Sequence, residues 1–428
     1  VKIHLDLDCY FVSAERTRDN RLKNRPVVVA KGSDKRIFNP DKKDAIMLGK
    51  TGAFNSVMEF RHTKNRTWHD EFMGDNGKIS GIVIAKSYEA KPYGIETGTT
   101  LSRAIELCPD LIIMPSEHLF YQELSNKLKS FLETKIPLLE QYSIDEFFGD
   151  LSGWIDECDT LEFITNLRDE IMEKFDLPIT IGASCSKWIA KLITDKTKPY
   201  GVKVVYDKDV SEFVHNIKIG EFCGIGKALK DRLNSHKIFT IGELKQRPIL
   251  LKEQGKIGID LLARINGTDD EPIIANSERK GIGISRNFTA ISCRAEIKRR
   301  IVILSRYLAY TIIDMGINPT TFYFKIRYDD KTKYSQSITQ DRLFSESLMI
   351  NTAIDIITKL DIYKRKKIHY IGISVTNFTT ANHHKTFSLL EYEDDIQKSK
   401  LSSALQKIRN QYGIDMIRYA LESNINDK

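Results

Sequence analysis

The chain opens VKIHLDLDCYFVSAE (residues 1–15), and the alternation across HLDLD decides how it is read. In an extended strand successive side chains point to opposite faces, so Ile3, Leu5 and Leu7 form one apolar row while His4, Asp6 and Asp8 form the other. An aromatic pair, Tyr10 and Phe11, follows at once. Two carboxylates on an apolar strand need a reason, because an ionised carboxylate in apolar surroundings is costly unless it is paired or bound to a cation.

A second acidic pair, Asp145 and Glu146, lies in the equally apolar stretch YSIDEFFGDLSG (142–153). Either cluster alone also reads as a strand-end carboxylate in water or in a turn. Together they favour a site for a hard cation such as Mg²⁺, which takes one or two carboxylates plus phosphate and water oxygens. Two such ions about 4 Å apart can activate an attacking oxygen and stabilise a leaving one. Asp145 and Glu146 are adjacent and would face opposite ways in a regular strand, so both reach one site only at a hairpin tip or a twisted strand end.

Around these clusters the pattern alternates without the strict β-α order of a doubly wound sheet, which predicts an α+β fold. A short polar helix (SAERTRDNRLKN) precedes the strand PVVVAKG. Residues 33–78, rich in Lys, Asp, Asn and Gly, read as an insertion. Strand character resumes at GIVIAKSYEA. Residues 118–136 place Leu119, Leu124, Leu128, Phe131 and Leu132 at helical spacing. LEFITNLRDEIMEKFD is a second amphipathic helix, LPITIGASC a strand, and SKWIAKLITDKTKPYG a helix stopped by Pro199 and Gly201. In TFYFKIRY, Phe322, Phe324, Ile326 and Tyr328 share one face while Thr321, Tyr323, Lys325 and Arg327 share the other.

With 428 residues and 41% hydrophobic content, two to four cored domains are expected. No run of about 18 apolar residues suggests a membrane span, and the N-terminus lacks a signal-peptide pattern, so a cytoplasmic protein is expected. The six cysteines are scattered without CxxC and the nine histidines form no HExxH, which predicts reduced thiols and no zinc site. Net charge is +7, yet residues 281–378 hold 16 Lys plus Arg against 8 Asp plus Glu. One segment therefore carries the whole excess, as a polyanion-binding module or a solvated basic face does.

Five stretches, HLDLDCYFVSAE, SYEAKPYGIETG (87–98), YSIDEFFGDLSG, GASCSKWIAKLITDKTKPYG (182–201) and CGIGKALKDRL (223–233), resemble in order the motifs of the Y-family translesion DNA polymerases, of the bacterial polymerase IV kind. The resemblance covers nearly the whole chain apart from 33–78. It implies a right hand: a palm from residues 1–10 and 111–198, small fingers at 11–110 carrying the insertion, a helical thumb at 199–275, an α/β little finger at 283–378, and a tail at 379–428. It implies template-directed addition of deoxynucleotides to a primer 3′-OH, with two Mg²⁺ ions or Mn²⁺ in their place. It makes Asp6 and Asp145 metal ligands, Glu146 a further catalytic carboxylate and Leu7 a backbone-carbonyl ligand. Cys9 and Tyr10 line the nucleotide pocket, and Phe11 is the steric gate against a 2′-OH. Tyr88, Lys91 and Lys191 bind the triphosphate, Lys91 standing where Arg is usual, with Lys86 as a possible substitute. Lysine keeps the charge but loses the bidentate fork.

CGIGKALKDRL looks like a helix-hairpin-helix, in which Gly224 and Gly226 open the backbone to a phosphate and Lys227 adds charge; an ordinary glycine-bearing turn is the alternative. The basic segment matches the little finger, reaching DNA through Lys325, Arg327 and IKRR (297–300). YKRKK (363–367) is as readily a solvated loop. TFSLL in the tail stands where relatives carry a sliding-clamp peptide, or is a linker. Primer-template DNA, deoxynucleoside triphosphates and, on the clamp-peptide reading of TFSLL, a sliding clamp are thus the expected partners of a monomer. Alternatives are a catalytically impaired scaffold on the same fold, or another palm-type two-metal nucleotidyl enzyme such as a cyclase.

Overall fold

The computed structural model describes residues 1–32, 35–39, 67–73, 77–276, 278–379 and 390–423, together with the backbone of 45–47 and 58–60. Contacts divide the chain into two compact units, one of residues 1–31 and 72–277, the other of 32–71 and 278–428.

The first unit is built on the opening strand, β1 (Lys2–Leu7). Among the described residues it is the middle of a five-stranded sheet that also holds β5 (Leu138–Gln141), β6 (Glu146–Asp150), β7 (Ile179–Ser184) and β8 (Val202–Val205), in the order β8-β7-β1-β6-β5. It runs antiparallel to both neighbours, with Leu5 opposite Phe147 on one side and Ile181 on the other. Both of its faces are covered. Helices α2 (His118–Leu132) and α3 (Thr160–Phe175) meet Ile3, Leu5 and Leu7, through Tyr121, Leu128, Leu132, Ile164, Leu167 and Ile171. The face with His4 lies under α4 (Lys187–Thr197), whose Thr194 hydroxyl donates to the His4 carbonyl at 3.2 Å. That approach depends on Gly182, where a Cβ would stand 2.5 Å from the Ala190 carbonyl oxygen.

A smaller sheet of β2 (Val27–Lys31), β3 (Ile82–Lys86) and β4 (Ile112–Pro115) has β2 in the middle, antiparallel to β3 and parallel to β4. The 3₁₀ turn Tyr88–Tyr93 follows β3 and is capped by the Ser87 hydroxyl. The chain then leaves the large sheet for a helical layer that includes α5 (Lys227–Ser235) and α6 (Lys256–Asn266), cored by Ile219, Phe222, Leu233, Ile241 and Leu261.

The second unit has an antiparallel sheet of β9 (Gly281–Ile291), β10 (Asn318–Tyr328), β11 (Lys333–Thr339) and β12 (Ile368–Thr379), ordered β9-β12-β10-β11. Helices α7 (Arg294–Asp314) and α8 (Glu346–Leu360) pack on one face. The alternation expected in β10 is present: Phe322, Phe324, Ile326 and Tyr328 are buried, while Thr321, Tyr323, Lys325 and Arg327 are partly exposed.

Two additions to this unit depart from the expectations. One described part of the 33–78 stretch, Lys35–Phe38, packs here, with Ile37 and Phe38 buried in the core and Phe38 edge-on to Phe288 at 5.8 Å. The last α-helix among the described residues, α9 (Tyr392–Tyr412), turns its polar side inward. Asp395, Ser402, Gln406 and Arg409 are buried because partners wait for them: Arg342 for Asp395, Glu346 for Arg409, its N–H for the Ser402 hydroxyl, and the Tyr310 carbonyl for the Gln406 amide. Arg409 meets Glu346 at 2.5 Å with both side chains 1% exposed, and Arg306 reaches Glu422 and Asp415 at 2.7 Å. Residues 386–389 of TFSLL lie outside the described residues. No helix among the described residues is long and apolar enough to cross a membrane.

Removing one partner of a buried pair strands the other charge, at a cost of about 3–5 kcal/mol. Arg409→Ala should therefore lower the unfolding free energy of the second unit, measured by urea titration, by that amount, whereas Arg409→Met combined with Glu346→Leu should recover most of it.

Candidate active site

The register of β1 brings the first acidic cluster to the second. Asp6 lies opposite Glu146 on β6 and opposite Thr180 on β7. Between β5 and β6 the chain turns tightly, the backbone N–H groups of Tyr142 and Ser143 both donating to the Glu146 carbonyl at 3.0 and 3.1 Å. Asp145 sits in this turn, its carbonyl accepting from the Leu7 N–H at 3.0 Å and its carboxylate from the Ser143 hydroxyl at 2.5 Å. Adjacent carboxylates thus reach one corner because a turn, and not the strand pleat, orients Asp145.

Burial dominates the electrostatics. It pushes the Asp6 carboxyl up to about 8; Lys198 opposes the shift, and the nearby charges of Glu146 and Asp145 reinforce it. Asp145 is raised by burial too, with the Ser143 hydrogen bond opposing and Glu146 adding. Two lysines answer this charge: Lys198 Nζ stands 2.7 Å from Asp6 Oδ2, and Lys191 is ion-paired with Glu146. Burial pulls both ammonium groups down, yet their carboxylate partners hold them above the ordinary lysine value. Behind them His4 is held well below its ordinary value by burial, then by Lys191, Lys198 and Lys187.

Among the described residues no three carboxylate, His or Cys side chains form a ready-made metal cage. Asp6 and Glu146 are each turned to a lysine instead. The donor set nevertheless fits a hard divalent cation: three carboxylates and the Leu7 carbonyl are all oxygen ligands. The ammonium groups balance the charge that such an ion would balance.

Residues 9–11 turn the chain from β1 into α1 (Tyr10–Arg18), Cys9 taking the left-handed conformation at φ 49°. Tyr10 is buried and its hydroxyl donates to the Tyr121 carbonyl at 2.5 Å, while Phe11 stays partly exposed. The Tyr88 hydroxyl donates to Asp8 Oδ1 at 3.0 Å. Asp8 also accepts from the Thr180 hydroxyl at 2.9 Å and from the Tyr200 N–H at 2.7 Å, so it holds protein groups together. Lys91 lies over the Tyr88 ring, its ammonium 3.7 Å from the centroid. Lys86, the other lysine near this motif, is ion-paired with Glu96. Lys198, which sequence reasoning passed over, is the cation on Asp6; its only signal was its place in TKPYG, one residue beyond α4.

The proposed DNA contacts lie apart from these carboxylates in the sequence. Gly224 has φ 101°, which demands glycine, and Gly226 caps α5 with nothing within 4 Å of where a Cβ would be. Lys227 is exposed and pairs with Asp231 at 2.7 Å. Lys325 and Arg327 stand on the face of the second unit's sheet that no helix among the described residues covers, Lys325 between Ser335 and Gly372, and Arg327 between Lys333 and Tyr370. In IKRR Lys298 is exposed, but both arginines are engaged within the unit. Arg299 is buried, bonding Glu296 and the carbonyls of Phe38 and Glu422, and Arg300 pairs with Glu296 and lies over the Phe38 and Phe288 rings. A helix with an apolar core on one side draws its basic side chains in wherever acids wait for them.

Residues 5–195 match the impB/mucB/samB family, and residues 279–389 match the C-terminal domain of that family. The DNA polymerase IV of Clostridium kluyveri is 28% identical over 366 residues, 81% of this chain and 89% of that protein. DNA polymerase IV 1 of Halalkalibacterium halodurans is 28% identical over 427 residues, 96% of this chain and 91% of that protein. Among solved structures, a Y-family DNA polymerase chimera superposes with a TM-score of 0.72 at 23% identity, covering 89% of this chain and 99% of its own. The insertion ternary complex of Dbh DNA polymerase gives 0.55 at 22% identity, with the same coverage.

The raised Asp6 carboxyl has a consequence for stability. Its folded value, about 8, exceeds the ~3.9 of an unfolded chain, so between those limits the native state keeps a proton that the unfolded state has lost. Stability therefore falls as pH rises through that window. With a chelator present, Asp6→Asn should raise the unfolding free energy at pH 8 by about 1–3 kcal/mol and leave it unchanged near pH 4. Denaturant titrations of both proteins at the two pH values check this.

Proposed function

The chain belongs to the impB/mucB/samB family and is a DNA-directed DNA polymerase of the Y-family, low-fidelity, translesion type, and on that premise we propose that its chemistry is done at the corner of Asp6, Asp145 and Glu146. The observation that carries this is the pairing of Asp6 with Glu146 across two antiparallel strands, with Asp145 in the adjoining turn, so that carboxylates 139 residues apart act as one cluster. The large sheet of the first unit is read as the palm (1–10 and 111–198), the three-stranded layer as fingers (11–110, less the stretch that packs with the second unit), the helical layer as thumb (199–275), and the second unit's sheet and helices as little finger (283–378).

The family requires a divalent metal, and Mg²⁺ is the ion proposed, two per site, with Mn²⁺ as a substitute. When bound, it supplies positive charge to the reacting phosphate and lowers the pKa of the attacking hydroxyl. Asp6, Asp145, Glu146 and the Leu7 carbonyl are the groups that would hold it. The primer 3′-oxygen attacks the α-phosphorus of a deoxynucleoside triphosphate; the bond to the β-phosphate oxygen breaks and pyrophosphate leaves. Lys191 and Lys198, which now pair with Glu146 and Asp6, would be available to phosphate oxygens if a cation held those carboxylates. Tyr88 and Lys91 make the side of the pocket toward the fingers, and Cys9 and Tyr10 its base. Phe11, partly exposed at the start of α1, excludes a 2′-OH by bulk, since an apolar pocket without it rejects an added hydroxyl only about a hundredfold.

The face of the second unit's sheet left uncovered among the described residues is proposed as a backbone contact for DNA, with Lys325 and Arg327 set among Ser335, Gly372 and Tyr370. Small and hydroxyl-bearing neighbours let a phosphate come close, and contacts of this kind carry no base information. Gly224, Gly226 and Lys227 are proposed as a second such contact.

Primer extension with Mg²⁺ tests the reading. Asp145→Ala should lose about a thousandfold or more in rate while still binding primer-template DNA; a wild-type chain that binds DNA and extends nothing would leave the scaffold alternative standing. Lys325→Ala and Arg327→Ala should each weaken DNA binding without regard to sequence and reduce the slope of log affinity against log salt by about one. An unchanged slope in both would remove this face from the interface.

A further inference from the structure

We propose that Tyr121 is a specificity-determining residue for the sugar of the incoming nucleotide, acting as the rigid backing of the Phe11 gate. The inference rests on the reading of Phe11 given under Proposed function and says what makes that gate stiff.

A ring that excludes a hydroxyl by bulk does so only if it cannot move aside. Phe11 is the second residue of α1 and is partly exposed, and within its own helix it meets the Tyr10 ring only at 5.8 Å, tilted by 48°. The closer restraint comes from α2. The Tyr121 ring lies nearly parallel to that of Phe11, with centroids 4.6 Å apart and planes 16° from each other. The His118 ring stands one turn earlier on α2, 5.6 Å from Phe11 and tilted by 50°. Aromatic pairs in offset stacks favour a defined spacing, so the Phe11 ring has one preferred position against this wall.

Tyr121 is itself held at both ends. Its side chain is fully buried, and its hydroxyl donates to the buried carboxyl of Glu15 at 2.6 Å. Its backbone carbonyl accepts from the Tyr10 hydroxyl at 2.5 Å. Tyr10, Phe11 and Glu15 all belong to α1, so one tyrosine of α2 is clamped by three residues of the helix that begins beside the carboxylates. Tyr10 fixes where α2 passes, Glu15 satisfies the buried Tyr121 hydroxyl, and the face of the packed Tyr121 ring holds Phe11. A ribonucleotide then meets the stiffness of two helices and not of one side chain. Tyr121 touches neither metal nor substrate in this arrangement, and its effect is transmitted through Phe11.

The test is the ratio of ribonucleotide to deoxyribonucleotide incorporation, each as kcat/KM, because a ratio measured on one preparation is insensitive to the fraction folded. Phe11→Ala should raise the ratio by removing the gate. Tyr121→Leu should raise it about tenfold by removing the stack while keeping an apolar side chain. Tyr121→Phe loses the Glu15 hydrogen bond but keeps the stack; it should lower thermal stability and leave the ratio at the wild-type value. Should Tyr121→Leu fail to fold, Tyr121→Leu combined with Glu15→Leu removes the stranded carboxyl and asks the same question. A ratio within twofold of wild type in the leucine variant, beside a raised ratio in Phe11→Ala, would overturn the backing role and leave the gate intact. An unchanged ratio in Phe11→Ala would overturn the gate and the backing together.

Discussion

Three carboxylates in one buried corner repel one another and resent the loss of water, and the first unit is organised around meeting that cost. Burial alone lifts Asp6 and Asp145 above their ordinary range, and their mutual proximity lifts them further. Lys198 and the Ser143 hydroxyl oppose that rise, while Lys191 is ion-paired with Glu146; the two lysines are delivered by α4 and the residue just beyond it. For α4 to stand there it must lie flat on the sheet, which is possible because Gly182 leaves room for the Ala190 carbonyl. The register of β1, the glycine on β7 and the lysine spacing on α4 are therefore parts of one electrostatic solution, in which a divalent cation and the ammonium groups serve as alternative counter-charges.

Much of this was legible in the sequence, and the misses have identifiable causes. Alternation in HLDLD located a strand, and the need for a hairpin tip or a twisted strand end at Asp145-Glu146 followed from the pleat alone; the turn at 142–146 supplies the first of these. Alternation says nothing of what covers each face, so the burial of His4 beneath α4 could not be read from it. Lys198 was missed because it follows the helix, where periodicity no longer singles out a position. In residues 118–136 the leucines marked a helix correctly, but its buried face also runs through Tyr121, Gln122 and Ser125, which an apolar count ignores.

Charge counting misled in a different way. The excess of residues 281–378 includes Arg299 and Arg306, which are buried in ion pairs, and Arg294 and Arg342, which are bonded to Asp361 and Asp395. Some of their partners, among them Glu422, Asp415 and Asp395, belong to the C-terminal stretch that the count left out. A formal charge is a property of a sequence window, whereas a field at a surface depends on which cations remain unneutralised there. Lys325 and Arg327 stand on the sheet face that the described helices leave bare, so the footprint survives with fewer contributors than the composition suggests.

The placement of Phe38 bears on how the chain comes to be folded. It is made early in synthesis, yet the ring it packs against, Phe288, follows 250 residues later. At ~5–20 residues per second, Ile37 and Phe38 wait on the order of tens of seconds for the core that will bury them. The second unit is therefore not a cassette that a ribosome can finish from its own contiguous stretch. Its completion is a late, non-local event that closes a loop spanning most of the first unit, and a segment cut at residue 278 would lack two of its own core side chains.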